Sequence, residues 1–358
     1  MKFDIVRESW LLQRRLRGRY YPKTLTSRQV LADRRERGVV VVVVVENLTM
    51  PRLGALEEKY EIERELGRGS QGVVYLARHR RLERRVALKV LAPAHESDVR
   101  FLARLRREAK ALSSLSHECI VRLLDYDLDA VPPYLELEYV ENGQSLEQLL
   151  RLDSSAQRRR LSSLVPTSGI REMTTPTDSR VILAQQIAAA LAHVHEHGLL
   201  HRDLKPANVL IDSRNRVRVI DLGLARSVTE ETNITQLGQT VGTFAYMAPE
   251  QMLAEQPTER CDVYSFGLLL YELMVERPMF GANIPHGVSP FTRLRGETPS
   301  PPSCVPYHIS KLIRRCVSMD PAARPANGME LVESLAEAAR ANDGSKAGVF
   351  RMPDVPRP

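Results

Sequence analysis

The segment LHRDLKPANVLI, residues 200–211, constrains this chain more than any other part of it. Asp203, Lys205 and Asn208 fall within six residues of one another, in a loop that a proline makes rigid. In VIDLG, Asp221 follows directly after an apolar run that is typical of a buried strand. Carboxylate and amide oxygens are ligands that Mg²⁺ accepts, so Asn208 and Asp221 are candidate metal ligands. Asp203 is a candidate base for the proton of an incoming hydroxyl.

A second set of residues points to phosphate binding. The segment LGRGSQGVV places Gly67, Gly69 and Gly72 in the spacing GxGxxGxV, and glycine lets a backbone approach a phosphate closely. Because this segment lies between two predicted strands and not before a helix, a dinucleotide-binding fold is disfavoured. Lys89, in VALKVL, is either an edge charge or an inward cation; Glu108 on the following helix favours the second, since it could pair with Lys89.

Periodicity divides the chain into a sheet-rich part and a helical part. Alternating apolar and polar residues over 60–91 predict three strands, and CIVRLLDYDL and PYLELEYV predict two more. Helical spacing over 97–115 predicts one helix, with Phe101, Leu105, Ala109 and Leu112 on one face. After residue 143 the patterns are mostly helical. We therefore expect an α+β fold with a small sheet lobe and a larger helical lobe.

Charge and cysteine content argue against nucleic-acid binding, disulfides and a zinc site. The net charge of +7 belongs to the first 52 residues, which hold 12 Lys+Arg and 5 Asp+Glu and leave 39 of each for the remainder. The main body therefore gives no indication of nucleic-acid binding. The four cysteines are widely spaced without CxxC. This pattern argues against both a disulfide framework and a zinc site and favours a reducing, cytoplasmic location.

Seven consecutive valines, residues 39–45, are the most unusual feature of the N-terminal segment. A membrane-spanning helix needs roughly 20 apolar residues, so no transmembrane segment is predicted, and charges interrupt any secretory signal. As a strand the run would expose two apolar faces. We expect residues 1–58 to be a basic extension that is disordered or not native, with Met50 as the natural start. The alternative is a genuine basic arm that contacts acidic lipid or a partner.

The motifs occur in a family order: the glycine-rich loop, VALK, HRDLKPAN, DLG, GTFAYMAPE, CDVYSFG and DPAARP. Over roughly residues 60–340 the chain thereby resembles a eukaryotic-type (Hanks-type) serine/threonine protein kinase of the bacterial branch. The resemblance implies the bilobal protein kinase fold, with an antiparallel sheet and one helix in the N-lobe. The implied organisation is a kinase domain at 59–341, with an N-lobe at 59–140, a C-lobe at 141–341, an insertion at 151–178 and a disordered tail at 342–358.

The resemblance also implies an activity and a set of site residues. The γ-phosphate of ATP would pass to Ser or Thr hydroxyls of protein substrates, with Mg²⁺ or Mn²⁺ bound. The implied catalytic residues are Asp203, Lys205 and Thr243; the implied ATP-binding residues are Gly67, Gly69, Gly72, Val74, Ala87, Lys89, Glu108, Glu138, Val140 and Leu210; the implied metal ligands are Asn208 and Asp221. Leu137 would be the gatekeeper, Leu112, Leu123, His201 and Leu222 would stack as a spine, and Glu250 would pair with Arg324.

Two other function classes fit parts of this pattern. A pseudokinase that serves as a scaffold would be expected to lack the lysine, the base or the metal-binding aspartate, and this chain keeps all three. A small-molecule phosphotransferase of related fold would lack the APE segment, which is present at residues 248–250. The resemblance further implies an activating phosphate on the segment 221–250, so we expect autophosphorylation, chiefly at Thr235, with Thr232 and Thr240 as secondary sites. The motifs indicate no oligomeric state.

Overall fold

The computed structural model describes residues 54–69, 71–96, 98–151, 176–222, 244–280 and 290–342. Several expectations lie outside these residues. They are the state of the valine run, the character of residues 152–175 of the insertion, the positions of Thr235 and Thr243, and the character of the tail beyond residue 342.

The N-lobe is built on a five-stranded sheet with the order β1-β2-β3-β5-β4. Every pair of neighbours is antiparallel, so the predicted strand number and direction are confirmed. Alternate residues of β2 and β3, from Val73 to Ala77 and from Val86 to Val90, pack together on one face because side chains alternate along a strand. The strands are β1 (Tyr60–Gly69), β2 (Gly72–His79), β3 (Arg84–Leu91), β4 (Leu123–Asp127) and β5 (Tyr134–Glu138).

The principal N-lobe helix, α3 (Val99–Leu112), begins at a capped N-terminus. The Asp98 side chain accepts a hydrogen bond from the Phe101 backbone N–H at 2.9 Å. The buried residues of α3 are the four that its spacing predicts: Phe101, Leu105, Ala109 and Leu112. Two further helices of this lobe were not predicted, namely α1 (Gly54–Lys59) and α2 (Pro93–Glu96). They are too short to show a helical period. Helix α1 includes residues 54–58, which fall within the extension expected to be disordered or not native, and Leu56 within it is buried.

The C-lobe is mainly helical. Its central helix has buried residues on every side, from Cys261 to Met274, so it forms the middle of the core and needs no polar face. The helices are α4 (Leu146–Leu150), α5 (Pro176–Glu196), α6 (Pro249–Met252), α7 (Glu259–Val275), α8 (Tyr307–Cys316) and α9 (Gly328–Asn342). A small antiparallel sheet contains β6 (Gln144–Ser145), β7 (Val209–Ile211) and β8 (Val217–Val219).

Helix α5 begins inside the range predicted as an insertion. It starts at Pro176, and a proline fits the first turn of a helix. Gly198, just beyond the helix, has a φ of +68°, a conformation that suits glycine after a helix end. Helix α9 packs tightly on α5, because a Cβ at Gly328 would lie 2.4 Å from the backbone nitrogen of Ala192. In the part of the chain described, no helix is both long and apolar enough to cross a membrane.

The expected pair of Glu250 and Arg324 is present in the C-lobe core. Arg324 Nη1 lies 2.6 Å from Glu250 Oε1, and Nη2 lies 3.0 Å from Oε2, a bidentate geometry. Arg324 also donates to the backbone carbonyls of Ser318 and Arg260, at 2.8 and 3.0 Å. Burial alone would raise the pKa of Glu250, but the hydrogen bonds and charge of Arg324 lower it overall. The pair therefore joins helix α6 to the segment before α9.

Candidate active site

The glycine-rich turn joins β1 to β2. Gly72 has a φ of +147°, and a Cβ there would lie 2.0 Å from the carbonyl oxygen of Val90 on β3. Only glycine fits at that position. A Cβ at Gly67 or Gly69 would have no atom of the described chain within 4 Å, so the backbone is open on that side. This arrangement leaves room for another group to approach the turn.

Lys89 is buried on β3, in the interior of the sheet between β2 and β5. It is therefore an inward cation and not an edge charge. Its Nζ lies 2.8 Å from Asp221 Oδ1 and 3.2 Å from Gln71 Oε1. The charge of Lys89 lowers the pKa of Asp221, and this effect outweighs the burial that would raise it. Asp221 is thus held as a carboxylate.

Val74 and Ala87, two of the residues implied to bind ATP, share a sheet face with Lys89. Val74 is the register partner of Lys89 on β2, and Ala87 precedes Lys89 by two residues on the same strand. Residues two apart on a strand point to the same face, and so do directly opposed residues. Leu137 is the partner of Ala87 on β5. Two other residues implied to bind ATP, Leu210 and Val140, are half-buried.

Glu138, another residue implied to bind ATP, contacts two arginines of the chain. Its backbone N–H donates to the carbonyl of Arg122 at 2.9 Å. Its side chain forms a salt bridge with Arg218 and lies 3.8 Å from Arg122. The carboxylate of Glu138 is therefore paired with neighbouring arginines, which disfavours a contact between this side chain and ATP.

The loop that contains HRDLKPAN brings its three polar side chains together. Lys205 Nζ lies 2.8 Å from Asp203 Oδ2. Asn208 Nδ2 donates to the Asp203 carbonyl at 2.8 Å and to Asp203 Oδ2 at 3.1 Å. Because a carbonyl oxygen can only accept, these bonds fix the orientation of the Asn208 amide and leave its Oδ1 as an available ligand. A short 3₁₀ turn, Pro206–Asn208, holds Asn208 in this position.

A buried carboxylate on α7 fixes the backbone of this loop. Asp262 Oδ2 accepts the His201 N–H at 2.7 Å, and Asp262 Oδ1 accepts the Arg202 N–H at 2.7 Å. His195 Nε2 lies 2.9 Å from Asp262 Oδ2, while His195 Nδ1 accepts the Gly328 N–H at 2.9 Å. The neutral ring of His195 therefore carries its proton on Nε2 and donates it to Asp262.

Burial alone would raise the pKa of Asp262, but the His195 hydrogen bond lowers it overall. Asp262 lies in the motif CDVYSFG, but the motif gave no indication of this role. Neither His195 nor Gly328 was predicted to take part in the site. His195 and Asp262 are 67 residues apart, and Gly328 and His195 are 133 apart. No local spacing connects them.

The structure differs from the expectation for Glu108. Its Oε1 lies 3.7 Å from Arg202 Nη1, whereas Lys89 forms its salt bridge with Asp221. The expected Lys89–Glu108 pair is therefore absent among the salt bridges of the described residues. The physical reason is that Arg202 supplies a cation for Glu108, and Asp221 supplies an anion for Lys89. Lys89 and Glu108 are therefore each paired with another residue of opposite charge.

A small apolar pocket lies behind Leu137 and reaches Asp221. Three of the four predicted spine residues line it: Leu112, Leu123 and Leu222. The fourth, His201, is fully buried, and its burial lowers its pKa despite nearby carboxylates. The spine is thus mostly hydrocarbon with one neutral imidazole. Of the predicted site residues, only Thr243 lies outside the part of the chain that the structure describes.

Comparison with known proteins agrees with this geometry. Residues 60–336 match the family model described as protein kinase domain. The chain is 33% identical over 308 residues to serine/threonine-protein kinase PknB of Mycolicibacterium smegmatis, covering 84% of this chain and 45% of that protein. It is 35% identical over 289 residues to a probable serine/threonine-protein kinase of Streptomyces coelicolor, covering 78% and 39%.

A solved structure shows the same fold. The crystal structure of the Mycobacterium tuberculosis PknI kinase domain superposes with a TM-score of 0.56 at 24% identity, covering 79% of this chain and 96% of that one. The chain spans less than half the length of the curated relatives it matches. The family model nevertheless covers most of the chain. This chain therefore belongs to the protein kinase family, in its bacterial serine/threonine branch.

Proposed function

We propose that this chain transfers the γ-phosphate of ATP to serine or threonine hydroxyls of protein substrates. The observation that carries this proposal is the cluster of Asp203, Lys205 and Asn208, joined by hydrogen bonds of 2.8–3.1 Å. Asp203 accepts the proton of the substrate hydroxyl, and Lys205 steadies the transferred group. By resemblance, Thr243, which lies outside the described residues, would act beside them at the substrate hydroxyl.

The donors in the cleft suit Mg²⁺. Asp221 is held as a carboxylate with one oxygen on Lys89, and the Asn208 amide oxygen is left available by the bonds of its nitrogen. Mg²⁺ prefers such oxygen ligands. When bound, the ion neutralises phosphate charge. Asp221 and Asn208 would hold it, while the glycine-rich turn and Lys89 would bind the phosphates of ATP.

The location that suits this activity is the cytoplasm, where ATP and protein substrates are present. All four cysteines, Cys119, Cys261, Cys304 and Cys316, are free thiols. Burial raises the pKa of both Cys119 and Cys316 to about 12, so these thiols stay protonated and unreactive. Free thiols fit a reducing compartment.

Lys89→Met tests the proposed activity directly. Replacing the ammonium with an apolar group of similar length removes the cation that faces Asp221 and should lower phosphoryl transfer by roughly a hundredfold. The measurement is transfer of labelled γ-phosphate from ATP to a generic protein substrate. The matched control is Lys311→Met, a change at an exposed lysine on α8. Near-normal transfer by Lys89→Met would contradict the proposal.

The position of Glu108 suggests how the activity is controlled. Arg202 directly precedes Asp203 and lies beside Glu108. A phosphate on the activation segment carries about −1.5 to −2 charge and three acceptor oxygens, so it competes well for this guanidinium. Glu108 would then pair with Lys89, and Asp221 would turn to the metal. We infer that autophosphorylation drives this exchange of partners.

Thr235 is the proposed site of that phosphate. Thr235→Ala should lower the rate of phosphoryl transfer at least about tenfold, because Glu108 then stays with Arg202. An effect of this size is usual when a modification at one site shifts the conformation of another. The activity assay is combined with mass spectrometry of the wild-type chain. Thr229→Ala, in the same segment, is the matched control and should keep the rate. A fully active chain with no phosphate between Asp221 and Glu250 would exclude this mechanism.

A further inference from the structure

Three side chains at the C-terminal end of α5 form a cluster outside the nucleotide site. The sequence AHVHEH places His193, Glu196 and His197 at helical positions i, i+3 and i+4, which share one face. One nitrogen or oxygen from each side chain lies within 4.8 Å of the other two. The rings of His193 and His197 have centroids 4.4 Å apart. The donors therefore converge on a common point.

One existing hydrogen bond selects the tautomer of the neutral His197 ring. Its Nδ1 lies 2.8 Å from the backbone carbonyl of His193. A carbonyl oxygen only accepts, so Nδ1 carries the proton of the neutral ring and Nε2 offers a lone pair. A metal-binding histidine is commonly oriented by this kind of bond from its second nitrogen. His197 is thus arranged as an Nε2 donor.

His193 has a nitrogen that no other group uses. Its Nε2 is shielded from solvent and has no hydrogen-bond partner among the residues the structure describes. Leaving a buried polar atom without a partner costs free energy, which a bound ligand would recover. The ring also packs against His117, with centroids 5.1 Å apart. Because His117 Nδ1 accepts the Cys119 N–H at 3.1 Å, neutral His117 serves as a packing partner and not as a third nitrogen donor.

The electrostatic surroundings also favour a cation. Glu196 supplies a negative charge at the same point. The C-terminus of a helix carries a partial negative charge, which adds to the attraction.

We propose that His193, Glu196 and His197 form a binding site for one divalent transition-metal ion of the zinc class. Two imidazole nitrogens and one carboxylate oxygen are a common zinc donor set, with water at the fourth position. Mg²⁺ prefers oxygen ligands alone, so the two sites of this chain differ in selectivity. The wide cysteine spacing argues against a cysteine-based zinc site, but this cluster contains no cysteine.

The test uses the full chain, without an affinity tag and stripped of metal by a chelator. Zn²⁺ is titrated by calorimetry in excess Mg²⁺, and Co²⁺ absorption reports the coordination geometry. The wild type should bind one ion that His193→Ala and His197→Ala each weaken at least about tenfold. Glu196→Gln changes an exposed side chain and should weaken binding without disturbing the fold. His308→Ala, a half-buried histidine on α8, is the matched control and should bind like the wild type.

Thermal unfolding supplies a second readout that separates binding from folding. Zn²⁺ should raise the melting temperature of the wild type, since a ligand that binds only the folded state stabilises it. It should not do so for Glu196→Gln at the same concentration, although the two chains melt together without metal. The proposal is overturned if the wild type binds no Zn²⁺ at micromolar concentration. It is equally overturned if His197→Ala and Glu196→Gln both bind as many ions, and as tightly, as the wild type.

Discussion

Asp203→Asn should lower kcat for phosphoryl transfer by about a thousandfold, within the range that general-base removal produces. The amide keeps the size of the side chain but cannot take the proton of the substrate hydroxyl. Lys205 and Asn208 would still find an oxygen at that position, because Asp203 accepts both of their hydrogen bonds at 2.8 and 3.1 Å. The fold and the affinity for ATP should therefore stay close to those of the wild type.

Three measurements check this result: kcat with a generic protein substrate, the affinity for a fluorescent ATP analogue, and the melting temperature. Asp129→Asn makes the same chemical change at a carboxylate that is 87% exposed, and it should leave all three unchanged. If Asp203→Asn retains kcat within a factor of about ten, Asp203 is not the base. If ATP affinity falls as far as kcat, the variant has disturbed the site as a whole.

Arg324→Met should destabilise the folded chain by about 3–5 kcal/mol, the usual cost of leaving one member of a buried ion pair alone. The guanidinium is fully buried, and it bonds both oxygens of Glu250 at 2.6 and 3.0 Å. Methionine fills part of the space but leaves Glu250 without its cation. The free energy of unfolding, from denaturant titration, gives the magnitude.

Two comparisons make this prediction specific. Arg315→Met breaks a pair with Glu330 in which both side chains are substantially exposed, and it should cost at most about 1 kcal/mol. The double variant Glu250→Gln with Arg324→Met removes both charges and should recover part of the loss. A loss below about 1 kcal/mol for Arg324→Met would show that the buried pair does not stabilise the C-lobe.

The Glu250–Arg324 pair also makes the stability of the folded chain depend on pH in the acid range. The pKa of Glu250 is lowered in the folded chain, so the unfolded state binds its proton more readily. The contribution of the pair is therefore complete above the ordinary pKa of glutamate, and it is lost as pH falls through the lowered value. Stability of Arg324→Met should fall less steeply over this interval, because its Glu250 has lost the cation that lowers the pKa.

Most of the fold follows from local sequence. The alternation over 60–91 and the two later apolar runs correspond to the five strands, and the four apolar positions of α3 are the buried ones. Short elements escaped detection because α1 and α2 have six and four residues, about one helical turn each. The start of helix α5 at Pro176 was not predicted because its first residues lack the apolar period of the part that follows.

The candidate site, like the fold, was predictable where it depends on local sequence and not where it depends on distant contacts. Residues within one motif, such as Asp203, Lys205 and Asn208, are brought together as their spacing suggests. Which distant charges pair is a different matter, because Lys89 can satisfy either Glu108 or Asp221, and only the packed structure decides between them. The cluster at the end of α5 is an intermediate case: its spacing is visible in the sequence, but the shielding of the His193 nitrogen is not.

Asp262 has a consequence for how this protein loses its activity. The backbone of the catalytic loop is held by a carboxylate on α7, whose residues from Cys261 to Met274 are buried on every side. Core elements of this kind open only when the whole cooperative unit opens. The catalytic loop therefore has little local opening of its own. On heating, its geometry persists until the C-lobe melts, so inactivation and global unfolding of that lobe become a single event.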